Sequence, residues 1–346
     1  MISLLPQTSS APSPVVDRYG RRLRYLRVSV TDVCNLSCQY CNPVKGCAST
    51  HPHKLSWEDL DFLVDVAVNE LGVEAIRVTG GEPTVRPGLV DWIAGIRRHS
   101  GLRDVAMTTN GMRLAAMAED LHRAGLTRVN VSLDSFDAEV FKSVTRGGSL
   151  DRVLEGIAAA KQLFGRVKLN AVLLRDVNVP NELEAFVRFS DEQRIEVRFI
   201  ELMPIFEQKD FFHQHFIAVE TVMAMFAERG IVLEPEGDGA AVGNRTGYGP
   251  ATTYRAAGNN ARIGFISQMS NTKCLSCNKL RITSDGALKP CLLSPQEEDL
   301  APVIHRRDRA TLAAAMARQF LERAERYDML EALNDPFKRG MQAIGG

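Results

Sequence analysis

From Tyr25 to about Glu201, short apolar runs alternate with longer stretches in which apolar residues recur at helical spacing. The runs "YLRVSV" (25–30), "EAIRVT" (74–79), "VAMTT" (105–109), "RVNVSL" (128–133), "VKLNAVLL" (167–174) and "IEVRFIEL" (195–202) are rich in Val, Ile, Leu and Thr. That composition predicts β-strands lying under helices. Between the first two, "SWEDLDFLVDVAVNEL" (56–71) predicts a helix, with Ser56 as N-cap and Asp59 three residues on. Alternating β and α units joined by short loops argue for a parallel sheet. Six units are too few for a complete eight-fold barrel, so the expected fold class is α/β, a partial (β/α)6 TIM-type barrel. A wound open sheet is the alternative.

After about residue 231 the texture changes. "EPEGDGAAVGNRTGYGPAT" is rich in glycine, "ARIGFIS" (261–267) reads as a short strand, and Asp285-Gly286 as the turn of a hairpin. "RATLAAAMARQFLERAERY" (309–327) predicts a helix near the end. The expected division is a flexible tail over 1–17, a core domain over 18–230 and a smaller C-terminal α+β domain over 231–346. Lysine plus arginine equals aspartate plus glutamate at 42 each, so no net field recruits nucleic acid or anionic membrane. No apolar run approaches bilayer-spanning length. The first sixteen residues, rich in Ser, Pro and Ala, lack the basic start and sustained apolar stretch of a secretory signal. The reading is a soluble cytoplasmic protein, monomer or homodimer.

Polar and glycine-rich signatures follow the strands. A cysteine loop follows the first, "GGEP" (80–83) the second and "TTNG" (108–111) closes the third; "SLDS" (132–135) and "ELMP" (201–204) end the fourth and sixth. Parallel α/β barrels carry their chemistry at the carboxyl ends of the strands, so this edge is the expected active site.

The cysteines sharpen that expectation. Six of the seven form two triads, Cys34, Cys38 and Cys41 (C-x3-C-x2-C) and Cys274, Cys277 and Cys291 (C-x2-C-x13-C), with Cys47 left over as a free thiol. A reducing cytoplasm favours thiols or metal ligands over disulfides. Three thiolates on a four-iron cubane leave one iron open to a non-protein ligand, and S-adenosylmethionine can chelate it through its amino and carboxylate groups. The alternative for the first triad is zinc with a distant fourth ligand, Cys47 or His51; for the second it is a structural zinc.

C-x3-C-x2-C after the first strand and "GGEP" after the second resemble the radical S-adenosylmethionine superfamily. "LRVSVTDVCNLSCQYCNP", "IRVTGGEPTVR", "TTNG", "VNVSLDS" and "VRFIELMP" narrow the resemblance to the GTP 3′,8-cyclase family, whose members open molybdenum cofactor biosynthesis. "GPATTYR", "RIGFISQMSNTKCLSCNKLRITSDGALKPCL" and the terminal Gly345-Gly346 extend it from about Arg18 to the last residue.

The resemblance implies a [4Fe–4S] cluster on each triad. On the first, S-adenosylmethionine is bound with Tyr40, Gly81, Ser132 and Met203 at the cofactor positions, Gly81 because a residue without Cβ lets backbone approach the ligand. On the second, the open iron meets the guanine of GTP. The family's GTP positions fall on Arg27, Arg77, Thr108, Lys168, Lys279, Leu280 and Arg281, with Arg198 a further candidate. No G-x4-G-K-[ST] loop is present, so the phosphates must be met by side chains. Arg27, Arg77, Lys168, Gly345 and Gly346 are the implied catalytic residues, the two glycines threading into the site. The implied reaction cleaves S-adenosylmethionine, removes the ribose 3′ hydrogen of GTP and joins C3′ to C8, giving (8S)-3′,8-cyclo-7,8-dihydroguanosine 5′-triphosphate. An electron donor such as flavodoxin or ferredoxin, and hand-over to cyclic pyranopterin monophosphate synthase, complete the implied partners.

Two positions depart from the family pattern: Lys279 stands where arginine is usual, and Ala75 where a basic residue is common. Both imply a weaker hold on phosphate. The double change Lys279→Arg, Ala75→Lys is expected to lower the GTP KM, and an unchanged KM would refute this account of the departures. Two other readings remain open on the residues: a radical peptide maturase with an auxiliary cluster, and a non-catalytic zinc- or cluster-binding interaction protein.

Overall fold

Six parallel strands form the frame of the molecule: β1 (Tyr25–Ser29), β2 (Ala75–Thr79), β3 (Asp104–Thr109), β4 (Arg128–Ser132), β5 (Val167–Leu173) and β6 (Glu196–Glu201). A computed structural model describes residues 14–41, 54–204, 209–236, 249–271, 273–294, 296–327 and 340–345. Each strand pairs with the next in order, and the sheet does not close on itself. The fold is therefore the α/β partial barrel expected from the six βα units.

Alternation along the strands is stricter than the apolar composition suggested. Leu26 and Val28, Ile76 and Val78, Val105 and Met107, Val129 and Val131, and Val197 and Phe199 join one core cluster beneath the helices. Their neighbours Tyr25, Arg27, Arg77, Thr108, Asn130, Ser132, Asn170 and Arg198 line a cavity on the other face. A strand's period of two puts successive side chains on opposite faces, so each strand is apolar outward and polar inward.

The first helix, α1 (Trp57–Asn69), starts where the sequence signals it. Asp59 N donates to Ser56 Oγ at 3.1 Å and Ser56 N donates to Asp59 Oδ2 at 2.9 Å, a reciprocal capping box. Helices α2 (Leu89–Ile96), α3 (Leu114–Arg123), α4 (Ala138–Thr145), α5 (Leu150–Leu163) and α6 (Leu183–Gln193) cover the outer face of the later strands.

The C-terminal segment adds no separate sheet among the described residues; it extends both edges of the first. On one side β9 (Arg262–Ile266) runs parallel to β6 and carries β8 (Thr252–Ala256) and β7 (Leu233–Pro235). On the other, β10 (Lys279–Ile282) runs parallel to β1, followed by β11 (Ala287–Lys289) and β12 (Glu298–Asp299). Gly286, with φ 94°, makes the turn between β10 and β11 where Asp285-Gly286 was expected. The helix expected over 309–327 is shorter, Arg309–Leu321, because Arg323 turns inward.

The expected N-terminal tail also narrows. Leu23 N donates to Val15 O at 2.9 Å, and Asp17 is buried against Arg21 with Nε and Oδ2 2.5 Å apart. Residues 15–17 are thus fastened to the core, while 1–13 lie outside the described residues.

Candidate active site

All six cysteines of the two triads line one cavity of about 350 Å³ over the inward face of the sheet. Cys34, Cys38 and Cys41 lie in the loop after β1, which is held against the end of α4 by Ser37 N to Thr145 O (3.2 Å) and Gln39 N to Val144 O (2.9 Å). Cys274, Cys277 and Cys291 approach from either end of the β10–β11 hairpin. Their pairing across the cavity follows from the sheet: β10 lies beside β1, so the second triad's loop reaches the strand that ends in the first.

The donor sets fit metal–thiolate chemistry. Burial, then the Cys41 sulfur, pushes the Cys38 thiol well up, and burial with Cys34 pushes Cys41 to about 12. Such thiols ionise only against a cation, which is what a bound metal supplies. At the second triad, burial takes Cys291 to about 11. Burial also raises Cys277, but Lys279 and Arg323 more than offset it, so its thiol is lowered. Among the described residues, no group of three or more such side chains closes on a single ion. On a cubane each thiolate takes a different iron, so the sulfurs need not converge on one point.

Tyr40, Gly81, Ser132 and Met203 all line the cavity at the first triad's end. The Tyr40 hydroxyl donates to Asp134 Oδ2 at 2.7 Å, and burial holds that carboxyl up at about 6. Gly81 has a different reason for lacking a side chain from the one expected. A Cβ there would stand 2.5 Å from Val33 O and 2.9 Å from Asp32 O, so the requirement comes from the cysteine loop's own backbone. Glu82, from the same turn, is buried and accepts from Thr84 N (3.1 Å), Thr109 Oγ1 (2.7 Å) and Asn110 N (2.7 Å), tying the turn after β2 to the end of β3. Sequence reasoning quoted its motif and gave it no role.

Cations gather at the other end. Register places Arg281, Arg27 and Arg77 side by side on β10, β1 and β2. Burial pulls all three below the usual guanidinium range, Arg27 well below, and Lys279 to about 8. Arg77 Nη1 donates to Thr108 Oγ1 at 3.2 Å and its Nε to Tyr25 Oη at 2.5 Å. Tyr25 was missed at the sequence level although it stands two residues before Arg27, on the same face. Burial would raise its phenol, but Arg77, Arg128 and Arg27 bring it to about 8. Lys279 and Ala75, the two departures from the family pattern, flank Tyr25 in one row of the sheet.

Not every expected residue is brought together. Within 279–281 the Leu280 side chain is 0% exposed in the apolar core, and the side chains of Lys279 and Arg281 line the cavity. Lys168 lies on the inward face but is tied to Glu196 at 2.8 Å and is absent from the cavity lining. Burial lowers its ammonium to about 8. Arg198 also pairs with Glu196, at 2.5 Å, and does line the cavity.

Gly345 follows a short terminal helix, Met341–Ile344, and its carbonyl accepts from Arg27 Nη2 and Arg281 Nη1, each at 3.3 Å. Ile344, Met341, Leu292 and Leu293 form a small apolar cluster beside Cys291 and Met203 that anchors this segment. Gly346, Cys47 and His51 lie outside the described residues.

Comparison with known proteins agrees with this geometry. Residues 28–190 match the family described as the radical SAM superfamily, and 195–329 the one described as Molybdenum Cofactor Synthesis C. The GTP 3′,8-cyclase of Alkaliphilus oremlandii is 40% identical over 332 residues, 95% of this chain and 99% of that protein. That of Geobacter sulfurreducens is 40% identical over 334 residues, 96% and 99% respectively. Among solved structures, anSMEcpe with bound AdoMet superposes with a TM-score of 0.59 at 16% identity, covering 92% of this chain and 81% of that one. Streptococcus suis SuiB bound to S-adenosylmethionine gives 0.53 at 14%, covering 82% and 63%. These two share the fold. With paired thiol triads over a cationic sheet face, and near-full-length identity to named relatives, the chain belongs to the GTP 3′,8-cyclase family of radical S-adenosylmethionine enzymes.

Proposed function

We propose that this cavity cyclises GTP to (8S)-3′,8-cyclo-7,8-dihydroguanosine 5′-triphosphate, the first step of molybdenum cofactor biosynthesis. The carrying observation is that two thiol triads line one cavity together with a row of partly buried cations, Arg281, Arg27 and Arg77. A [4Fe–4S] cluster on Cys34, Cys38 and Cys41 would supply the electron that splits S-adenosylmethionine, and one on Cys274, Cys277 and Cys291 would hold the guanine by its open iron.

The chain's own residues then divide the work by charge. Glu82, Asp134 and Glu201 lie buried in the cavity lining at the strand ends, a setting that suits a cationic sulfonium ligand; Tyr40, Gly81, Ser132 and Met203 would enclose it. Arg27, Arg77, Lys279 and Arg281 would take the triphosphate. Burial lowers the proton affinity of all four, a cost that a bound anion would offset. Thr108 and Tyr25 hold Arg77 from two sides, fixing the plane of its guanidinium for bidentate contact. Arg198, at the cavity wall, and Lys168, behind Glu196, would extend the cationic surface.

No helix among the described residues is long and apolar enough to cross a membrane. A cytoplasmic setting, a flavodoxin or ferredoxin as reductant and hand-over of the product to cyclic pyranopterin monophosphate synthase belong to the same proposal.

The test is anaerobic reconstitution with iron and sulfide, then S-adenosylmethionine and dithionite, with and without GTP. The expected result is 5′-deoxyadenosine and cyclised nucleotide together, both lost in Cys34→Ser and the nucleotide lost in Cys291→Ser. Cleavage of S-adenosylmethionine with GTP left untouched would overturn the substrate and favour the peptide maturase.

A further inference from the structure

Three buried charges stand behind the second triad, away from the cavity, and the reading above uses none of them. Arg323 is 3% exposed. Its Nη1 donates to Cys277 Sγ at 3.4 Å and to Lys279 O at 3.0 Å, and its Nη2 to Cys277 O at 2.7 Å. Arg21 donates to Cys274 O at 3.2 Å and Ala324 O at 3.0 Å, so it grips both the triad loop and the segment that carries Arg323. Asp17 supplies the counter-charge, 2.5 Å from Arg21 and 3.9 Å from Arg323.

Burying two guanidiniums against a single carboxylate is costly, and packing alone would be served by apolar residues of similar volume. What the arrangement provides is a cationic N–H donor on a thiol sulfur. At the first triad the Cys34 sulfur receives two neutral donors, Leu36 N at 3.4 Å and Asn110 Nδ2 at 3.8 Å. Hydrogen bonds and positive charge at ligand sulfurs favour the more negative, reduced form of an iron–sulfur cluster.

We propose that Arg323, held by Arg21 and Asp17, is a positioning residue that raises the reduction potential of the cluster on Cys274, Cys277 and Cys291. The proposal rests on the cluster assignment above and concerns how readily that cluster accepts an electron. Its role is exerted through Cys277 rather than on substrate.

The experiment is an EPR-monitored redox titration of the reconstituted holoenzyme without GTP, with iron content measured on every sample. The unmodified enzyme is expected to show two waves. In Arg323→Gln one wave should shift to more negative potential while the other stays; Arg323→Lys, which keeps charge but loses the fork, should shift it less. Two unmoved waves in a fully loaded Arg323→Gln enzyme overturn the proposal, as do two waves moving equally. An unmodified enzyme that binds iron for only one four-iron cluster after reconstitution overturns the cluster assignment beneath it. Should Arg323→Gln fail to load, Arg323→Lys carries the test, and an unmoved wave there overturns the proposal.

Discussion

Removing Gly345 and Gly346 is expected to abolish cyclisation, by about a hundredfold or more, while both clusters stay loaded. Gly345 O is the acceptor shared by Arg27 and Arg281, the two cations nearest the tail. Without it these guanidiniums lose a common anchor and the phosphates a preset orientation. The close fit explains why glycine stands there. Gly345 has φ 78°, and an added Cβ would meet Thr79 Oγ1 at 2.9 Å and Ser29 Cβ at 3.0 Å. Both neighbours sit on strands, so neither can yield without disturbing the sheet. Gly345→Ala should therefore reproduce most of the loss at unchanged iron content. Residues as far back as Ile344 remain packed in the apolar cluster with Leu292 and Leu293, so the truncation leaves the fold in place. The measurement is cyclised nucleotide per turnover of S-adenosylmethionine against iron per chain. Full activity in the truncated enzyme would sink the idea that the tail orders the cations.

Much of this frame was legible in the sequence because its signals are local. Apolar runs place six strands to within about a residue at each end, and Ser56 with Asp59 marks a helix start that the backbone uses. The inward face was legible too and was passed over: Tyr25-Arg27-Ser29 alternates with Leu26-Val28, a period of two that a tally of β-formers hides. Long-range pairing was not legible. Nothing local says that Lys279–Ile282 pairs with Tyr25–Ser29, yet this register puts Arg281 beside Arg27 and turns Leu280 into the core. The bracket of Asp17, Arg21 and Arg323 joins both ends of the described chain, so no window of sequence contains it. Gly81 shows a third kind of limit. A motif names the residue, while the atoms that exclude a side chain belong to another loop.

Glu196→Gln should separate the cost of assembling the cationic face from its use. Glu196 is buried, with Lys168 Nζ 2.8 Å and Arg198 Nε 2.5 Å from its two oxygens. Burial would raise its pKa, but Arg198 and Lys168 bring it down to about 2. A depressed carboxyl stabilises the fold above its unfolded pKa of about 4.3, and that contribution disappears as pH falls through about 2. Glutamine leaves both cations buried without their anion, a loss of roughly 3 kcal/mol at neutral pH. Denaturant unfolding of the anaerobic holoenzyme would read that loss, and the variant should lose less stability than the parent as pH falls through the acid range. GTP should then raise the Tm of the variant more than that of the parent, because its phosphates replace the anion that the substitution removed. Equal stability of the two proteins would show that the pair carries no net load. Equal stabilisation by GTP would show that Lys168 and Arg198 are structural cations, bound to Glu196 and to nothing else, and would confine the triphosphate to Arg27, Arg77, Lys279 and Arg281.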